Sequence, residues 1–345
     1  MVAVRCRLGR MMLGLSFLLA GLSPAGAQAP LASYAGKTIT VTIGFGPGGS
    51  YDFYGHLVAR HLGRFLPGRP TMVAENMPGA GSFKAANYLF NVAPKDGTAL
   101  GIVTQTLALE EALGSPGVMY HAADFTWIGR ATSIVEIEVA WHTAKVKAMA
   151  DTLRLETPVA GTGSGSPSEG YPKLLNAVAG TKFKVITGYT SSTDALLAVE
   201  RGEVDGASTS WNTVKREKRD WLAEKKIAIL VQYTLERSPD LPDVPAVVEL
   251  GRTPEDKETL AFYTSSAEVG RSFLAPPGLP PERTRMLRDG FDQMLKDPAF
   301  LADIEKTGVE LNPASGAELE ALIKKTASAP KAIIERTRKA LEAGK

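Results

Sequence analysis

The stretch that decides the fold is TITVTIGFGPGGSYD, residues 38–52. Its first six residues are all β-branched, which favours a strand. The glycines that follow favour a loop, and residues 51–66 then carry apolar side chains at helical spacing. A strand, a glycine-rich loop and a helix in this order predict a βα unit with its loop at the carboxyl end of the strand.

The same alternation continues along the chain. Strands at 71–74 and 99–103 with a helix at 82–92 between them are typical of a parallel sheet. Further strands are predicted at 134–141, 158–160, 183–187, 204–208 and 227–231, and further helices at 173–178, 193–200, 281–295 and 317–341. We therefore predict an α/β fold of two lobes, each a mostly parallel sheet flanked by helices.

Two segments are predicted to cross between the lobes. One is the strand region 127–141, and the other begins at Ile227 and continues into the proline-rich residues 238–245. The two crossings predict a discontinuous first lobe, residues 28–133 and 231–345, and a second lobe, residues 134–230. A small ligand is expected in the cleft between them.

The composition excludes several classes of protein. With 345 residues, 22% charged and 44% hydrophobic, the chain is not a disordered or collagen-like protein. Its 39 Lys and Arg against 37 Asp and Glu give no support to nucleic-acid binding. Cys6 is the single cysteine, which excludes a disulfide framework and a cysteine-based zinc site, and the four histidines show no metal-ligand spacing.

The N-terminus resembles an export signal. Three arginines precede the apolar residues 11–22, a run too short to span a bilayer, and Ala25-Gly26-Ala27 has the small-x-small pattern of a cleavage site. We predict cleavage near Ala27 and an exported chain that begins near Gln28; a membrane anchor is the alternative. Removal of residues 1–27 leaves 36 basic against 37 acidic residues.

Four glycine-rich loops, at 44–52, 76–82, 161–168 and 188–194, offer polar groups to a ligand. Glycines let a ligand approach the backbone, and amides at helix starts favour an anion. The loops contain hydroxyls but no Lys or Arg, so we expect an anion to be held by neutral amides and hydroxyls, not by a basic surface. The alternative for each loop is a tight turn with a Ser or Thr helix cap.

The loops are poor matches to two enzyme motifs. Gly44, Gly46 and Gly49 satisfy G-x-G-x-x-G, but Pro47 removes an amide that a dinucleotide would use, and the expected acidic residue is misplaced. The third loop is not a nucleophile elbow, because Gly163 occupies the serine position. We therefore expect no cofactor and no catalytic residues.

Six ordered motifs resemble the Bug-type periplasmic receptors of tripartite tricarboxylate transporters. They are FGPGG with Asp52 at 45–52, ENMPGAG at 75–81, APKDGT at 93–98, GEVD at 202–205, LPDVP at 241–245 with Glu249 and Gly251, and APPGLP at 275–280. The resemblance covers most of the exported chain. It implies a type II-like periplasmic-binding-protein fold that closes by hinge motion on a small ligand, often a carboxylate, for delivery to a membrane permease.

The resemblance also supplies most of the candidate site. The family's ligand loops correspond to Phe45, Gly48, Gly49, Ser50, Asp52, Ala80, Gly81, Thr162, Gly163, Ser164 and Gly165. To these the residues themselves add the hydroxyls of Ser82 and Ser191 and the rings of Tyr51 and Tyr189. Asp52 either recognises a donor on the ligand or complements its helix start. Tyr51 stands where the family usually has threonine, which suits an aromatic or apolar body on the ligand.

We therefore predict a periplasmic, monomeric solute receptor without cofactor or metal that binds a small, carboxylate-bearing molecule. Its expected partner is a permease of the tripartite tricarboxylate type, and no nucleic acid is expected. Two alternatives stay open: a secreted α/β enzyme of the hydrolase kind, and a receptor-like protein that signals to a membrane partner.

Overall fold

The computed structural model describes residues 2–3, 33–309 and 311–344. Apart from residues 2–3, the predicted export signal lies outside this part of the chain. No helix within the described ranges combines the length and the apolar character that a membrane span needs.

The strands of the described residues follow the predicted alternation as far as residue 233, and two further strands after residue 270 were not predicted. They are β1 Thr38–Ile43, β2 Thr71–Asn76, β3 Ala99–Ile102, β4 Thr126–Arg130, β5 Glu136–Trp141, β6 Thr157–Gly161, β7 Phe183–Thr187, β8 Gly206–Ser210, β9 Ile227–Tyr233, β10 Ser272–Ala275 and β11 Ala314–Ser315.

The α-helices lie between and after these strands. They are α1 Gly49–Leu62, α2 Phe83–Asn91, α3 Leu107–Ala112, α4 Pro167–Ala179, α5 Ser192–Glu200, α6 Trp211–Glu217, α7 Arg219–Ala223, α8 Pro254–Thr264, α9 Pro281–Met294, α10 Pro298–Thr307, α11 Gly316–Ala327 and α12 Lys331–Ala343.

The first sheet has the strand order β11-β4-β10-β3-β1-β2. β1 pairs in parallel with β2 and β3, because a helix carries the chain back before each next strand begins. β10 is antiparallel to β3 and β4, and β11 is antiparallel to β4. The carboxyl ends of β1, β2 and β3 therefore share one edge, where the first two glycine-rich loops begin.

The second sheet has the strand order β7-β6-β8-β5-β9. β6 is parallel to β7 and β8, whereas β5 is antiparallel to β8 and β9. The carboxyl ends of β6, β7 and β8 share an edge, so the third and fourth glycine-rich loops and the end of β8 lie side by side.

The predicted two-lobed α/β fold is confirmed, with one correction. The sheets are mixed rather than mostly parallel. Parallel pairing is confined to β1–β3 and β6–β8, the strands joined by crossover helices. β4 and β5 are joined by residues 131–135 alone, too few for a crossover helix, and each pairs antiparallel in its own sheet.

Prolines set two helix boundaries differently from the prediction. The predicted helix 317–341 is two helices, α11 and α12, because Pro330 has no amide proton to continue the first. α4 begins at Pro167 rather than near residue 173, since proline is well tolerated in the first turn of a helix.

The core of the second sheet includes helices from the end of the chain. Tyr171 of α4 stacks on Tyr233 of β9 at 3.9 Å between ring centroids and meets Tyr263 of α8 edge-on at 4.9 Å. Ile334 and Leu341 of α12 pack against the same cluster. α8 and α12 thus cover the second sheet, although they lie in the C-terminal third of the chain.

A carboxyl group lies at the centre of this second sheet. Glu138 of β5 is fully buried and accepts hydrogen bonds from the hydroxyls of Ser208 and Tyr233, while its Oε1 has no partner. Burial raises the pKa of Glu138 from 4.5 to about 7, and the two hydroxyl donors offset only part of that effect.

We expect Glu138 to make the protein more stable in mild acid than in mild base. Its folded pKa lies above its unfolded value, so its stabilising effect is full below pH 4.5 and is lost as the pH rises through 7. The loss amounts to about 3 kcal/mol by pH 8. The free energy of unfolding, measured with urea between pH 5 and 8, should change less with pH in Glu138→Gln than in wild type. The exposed control Glu203→Gln should keep the wild-type slope; equal slopes for wild type and Glu138→Gln would contradict the expectation.

Candidate functional site

A narrow cleft opens where the loops of the two lobes meet. Most of its lining residues carry a hydroxyl group, so the wall offers neutral hydrogen-bond donors and acceptors. The lining consists of Phe45, Gly48, Ser50, Tyr51, Glu136, Thr162, Pro167, Ser168, Ser191, Ser192, Ser208, Thr209, Ser210 and Arg271.

Asp52 shapes the first loop. Its Oδ2 accepts a hydrogen bond from the amide of Gly48 at 2.9 Å, and its Oδ1 accepts one from Nδ2 of Asn76 at 2.7 Å. The same Asn76 amide donates to the carbonyl of Phe45 at 2.9 Å. Both carboxylate oxygens therefore have protein donors, and of the two roles considered for Asp52 this geometry matches the support of its helix start.

Hydroxyl groups order the loops of the second lobe. The amide of Thr162 donates to Oγ of Ser168 at 3.0 Å, and Oγ of Ser166 lies 2.9 Å from the same atom. Ser191 caps α5 by accepting from the amide of Asp194 at 3.2 Å. Ser191 is therefore a helix cap, which is the alternative to ligand binding that was considered for these loops.

The loops of the two lobes touch directly. The amide of Gly46 donates to the carbonyl of Thr190 at 2.8 Å. Oγ1 of Thr106 donates to the carbonyl of Gly165, which Oγ1 of Thr104 also reaches at 3.4 Å. These contacts run from the first sheet to the second and enclose the cleft.

The floor of the cleft holds a buried arginine. Arg271, 1% exposed, donates from Nε to Oγ of Ser50 at 2.8 Å and from Nη1 to Oε1 of Gln105 at 2.9 Å. Its Nη2 lies 3.2 Å from Oε1 of Glu136, and its guanidinium carbon lies 3.7 Å from the ring centroid of Tyr51. Arg271 precedes β10 of the first sheet and Glu136 begins β5 of the second, so the ion pair links the lobes.

The ion pair leaves hydrogen-bonding capacity at the cleft. A guanidinium has five N–H donors, and the three contacts of Arg271 use three of them. Burial raises the pKa of Glu136, while the adjacent Arg271 charge opposes that rise. An anion at this point meets a positive group that is already oriented by protein contacts.

The structure brings six of the predicted residues to the cleft and distributes the others around it. The six are Phe45, Gly48, Ser50, Tyr51, Thr162 and Ser191. An adjoining groove is lined by Ala80, Ser82, Gly163, Ser164 and Tyr189, together with Phe45 and Thr162. Gly49 and Asp52 line a different surface groove, and Gly165 lines a separate cavity. Gly81 is buried against the backbone of the third loop.

Glu136 and Arg271 line the cleft but were not among the predicted residues, and the expectation that neutral amides and hydroxyls hold an anion stays a prediction. Pro167, Ser168 and Ser192 also line the cleft and lie in the predicted third and fourth loops, although they were not named as site residues; Ser208, Thr209 and Ser210, at the end of β8, were not predicted. A signal was present: Glu136 and Glu138 interrupt an otherwise apolar strand, and Arg271 directly precedes another. Charges in buried strands require partners, which marks such positions for attention.

The chemistry of the site is that of ligand binding. No group of three or more His, Cys, Asp or Glu side chains in the described part of the chain is placed to hold a metal ion. The cleft combines hydroxyls and helix-start amides, which suit a small anionic group, with the ion pair of Arg271 and Glu136.

Comparison with known proteins agrees with this architecture. The structure of the periplasmic binding protein BugD matches with a TM-score of 0.70 at 20% identity, over 88% of this chain and 97% of that one. MatC from Rhodopseudomonas palustris, solved with bound malate, matches with a TM-score of 0.66 at 21% identity, over 88% and 98%. These likenesses establish the shared fold.

Two sequence comparisons extend the likeness. A UPF0065 protein from the tcbD-tcbE intergenic region of Pseudomonas sp. (strain P51) is 23% identical over 287 residues, covering 81% of this chain and 80% of that protein. The model of the tripartite tricarboxylate transporter family receptor matches residues 58–338, most of the chain. The predicted family resemblance is thereby confirmed, and the chain belongs to the tripartite tricarboxylate transporter receptor family.

Proposed function

We propose that this receptor captures a small organic acid in its cleft and that Arg271 receives the carboxylate. The observation that supports the proposal is a buried guanidinium that lines a hydroxyl-rich cleft and whose three hydrogen bonds leave two of its five N–H donors for a ligand. Membership of a receptor family supports solute binding rather than hydrolysis, so the enzyme alternative is set aside.

The remaining wall fits an organic acid of modest size. The amides at the starts of α1 and α5 and the hydroxyls of Ser50 and Ser192 add neutral donors for an anion. The ring of Phe45, which stacks on Tyr51 at 4.4 Å between centroids, would provide an apolar surface for the carbon skeleton of the ligand.

Closure of the lobes is proposed to trap the ligand. The strands of the first sheet come from residues 38–130 and 272–315, and those of the second from residues 136–233. We infer that the lobes divide near residues 134 and 230, with α8 and α12 moving with the second lobe, because their side chains pack in its core. Ligand binding would shift the open–closed equilibrium by its differential affinity for the two states.

The family points to a tripartite transporter as the partner and to the periplasm as the place of action. We infer that residues 1–27 are removed at Ala27 and that the exported protein is a monomer that feeds a permease. Mass spectrometry of the exported chain and light scattering test these points. Recovery of a signalling protein instead of a permease from cross-linked membranes would favour the signalling alternative.

A thermal-shift screen tests the ligand class. Malate comes first because the related MatC was solved with it, followed by succinate, adipate and benzoate, each paired with its amide. A carboxylate at 100 times its Kd should stabilise the folded state by about 2.7 kcal/mol, while the amide should not. Equal stabilisation by an acid and its amide, or none by any acid, would contradict the proposal.

A further inference from the structure

A second cavity of about 850 Å³ lies between α3, α4 and α12. It shares no lining residue with the cleft floored by Arg271. Ser164 and Gly165 of the third loop form part of its wall, and Gly165 is the residue whose carbonyl accepts from Thr104 and Thr106. We call this space the α3–α4 cavity.

Two buried glutamates line the α3–α4 cavity. Glu110 of α3 is 5% exposed and accepts a hydrogen bond from the hydroxyl of Ser115. Glu169 of α4 is 7% exposed; its Oε1 pairs with Nζ of Lys173, and its Oε2 is buried without a partner. A buried carboxylate oxygen without a donor is costly, so a ligand that supplied a donor to Oε2 would be favoured.

The interior of the cavity carries excess negative charge. The lining carries three carboxylates, Glu110, Glu169 and Glu342, against two cations, Lys173 and Arg338. Burial raises the pKa of Glu110 to about 7; Ser115 and Lys173 lower it, and Glu169 raises it. At the rim, Nη2 of Arg338 in α12 lies 3.3 Å from Oε1 of Glu335, so Glu335 compensates the charge of Arg338. Glu342 adds its carboxylate at the rim.

We propose that the α3–α4 cavity binds a small organic cation with a primary ammonium group. The ammonium N–H groups would be accepted by the carboxylates of Glu169 and Glu110, and Oε2 of Glu169 would turn toward the ligand on binding. The alkyl part would lie against the apolar wall formed by Phe83, Leu113, Pro116 and Leu341. A metal ion fits less well, because no cluster of three metal-ligating side chains occurs among the described residues.

The proposal predicts a dependence on pH. Below about pH 7 Glu110 takes up a proton, and the cavity loses one of its negative charges. The other charged or titratable groups near Glu110 are Lys173 and Glu169 on α4, Arg338 and Glu342 on α12, Tyr263 on α8, and Glu111 and Tyr120. Burial raises the pKa of Tyr120 and Tyr263 well above 10, so neither titrates between pH 6 and 8, and a cation should bind more tightly at pH 8 than at pH 6.

Isothermal titration calorimetry with n-butylammonium chloride tests this inference on the purified protein. We expect saturable binding of one equivalent that is tighter at pH 8 than at pH 6. Glu169→Gln should weaken it about tenfold or more, since a hydrogen bond between charged groups is lost. Glu342→Gln on the rim removes the same charge and should weaken it at most about fivefold.

Glu110→Gln is the second arm of the experiment. It keeps an acceptor for the Ser115 hydroxyl and should abolish the pH dependence between 6 and 8. Far-UV circular dichroism melts establish that each variant is folded. Absence of saturable n-butylammonium binding to wild type, or equal weakening by Glu169→Gln and Glu342→Gln, would overturn the inference. Carboxylate binding in the cleft is measured separately, so failure of one proposal does not imply failure of the other.

Discussion

Replacing Arg271 with methionine should lower the free energy of unfolding by about 3–5 kcal/mol at pH 7 and abolish carboxylate binding. The change leaves Glu136 buried without its cation. Ser50 and Gln105 also lose the hydrogen bonds that Arg271 donates to them. Protonation of Glu136 limits the loss, because neutralising a carboxyl of pKa 4.5 at pH 7 costs about 3.4 kcal/mol. Urea unfolding and calorimetric titration of the screened acid measure the two effects.

The double variant Arg271→Met, Glu136→Gln separates stability from binding. Removing both charges should restore most of the stability, since replacing a buried ion pair by neutral groups is often nearly neutral. Carboxylate binding should stay abolished, because the guanidinium is still missing. If the double variant recovered binding, Arg271 would be a structural residue rather than a ligand contact.

The loss of stability in Arg271→Met should also depend on pH. In Arg271→Met the folded-state pKa of Glu136 lies further above its unfolded value of 4.5, since burial remains and the opposing charge is gone. Such a group stabilises fully below its unfolded pKa and loses that effect as the pH rises. The gap between wild type and variant should therefore be smaller at pH 5 than at pH 7, and a constant gap would contradict this account.

Replacing Gly81 with alanine should weaken ligand binding about tenfold to a hundredfold. A Cβ there would lie 2.2 Å from the carbonyl oxygen of Ser164, 2.7 Å from the amide of Ser166 and 2.9 Å from the carbonyl oxygen of Gly163. These backbone atoms belong to the second lobe and cannot rotate away as a side chain would. The added methyl group should hold the loops apart, and small-angle scattering of the liganded variant should show a larger radius of gyration than wild type.

Gly202→Ala is the matched control for this prediction. Gly202 has φ +74° and Gly81 has φ +60°, so both substitutions carry the strain of a left-handed backbone, about 1–2 kcal/mol. Nothing lies within 4 Å of a Cβ built at Gly202. Both variants should lose stability, but only Gly81→Ala should lose affinity. Equal ligand affinities of the two variants would show that Gly81 does not lie where the lobes meet around the ligand.

Much of the fold follows from local patterns in the chain. The β-branched run at 38–43 coincides with β1, and residues 183–187 coincide with β7. The glycine-rich segments lie between a strand and a helix as predicted, because glycine and proline act through the backbone of their own segment. Strand direction was predicted less well: β4, β5 and β10 pair antiparallel, and pairing depends on partners that are distant in sequence.

The candidate site, like the fold, could be predicted from the sequence only in part. The sequence alone determined the α/β class, the receptor family and the six loop residues that line the cleft, because motif and loop chemistry are local. Only the tertiary structure brought Arg271 together with Ser50, Gln105 and Glu136, residues up to 221 positions apart. Arg271 lies buried at the floor of the cleft. Its charge acts more strongly there than at the surface, because the effect of a charge depends on what surrounds it.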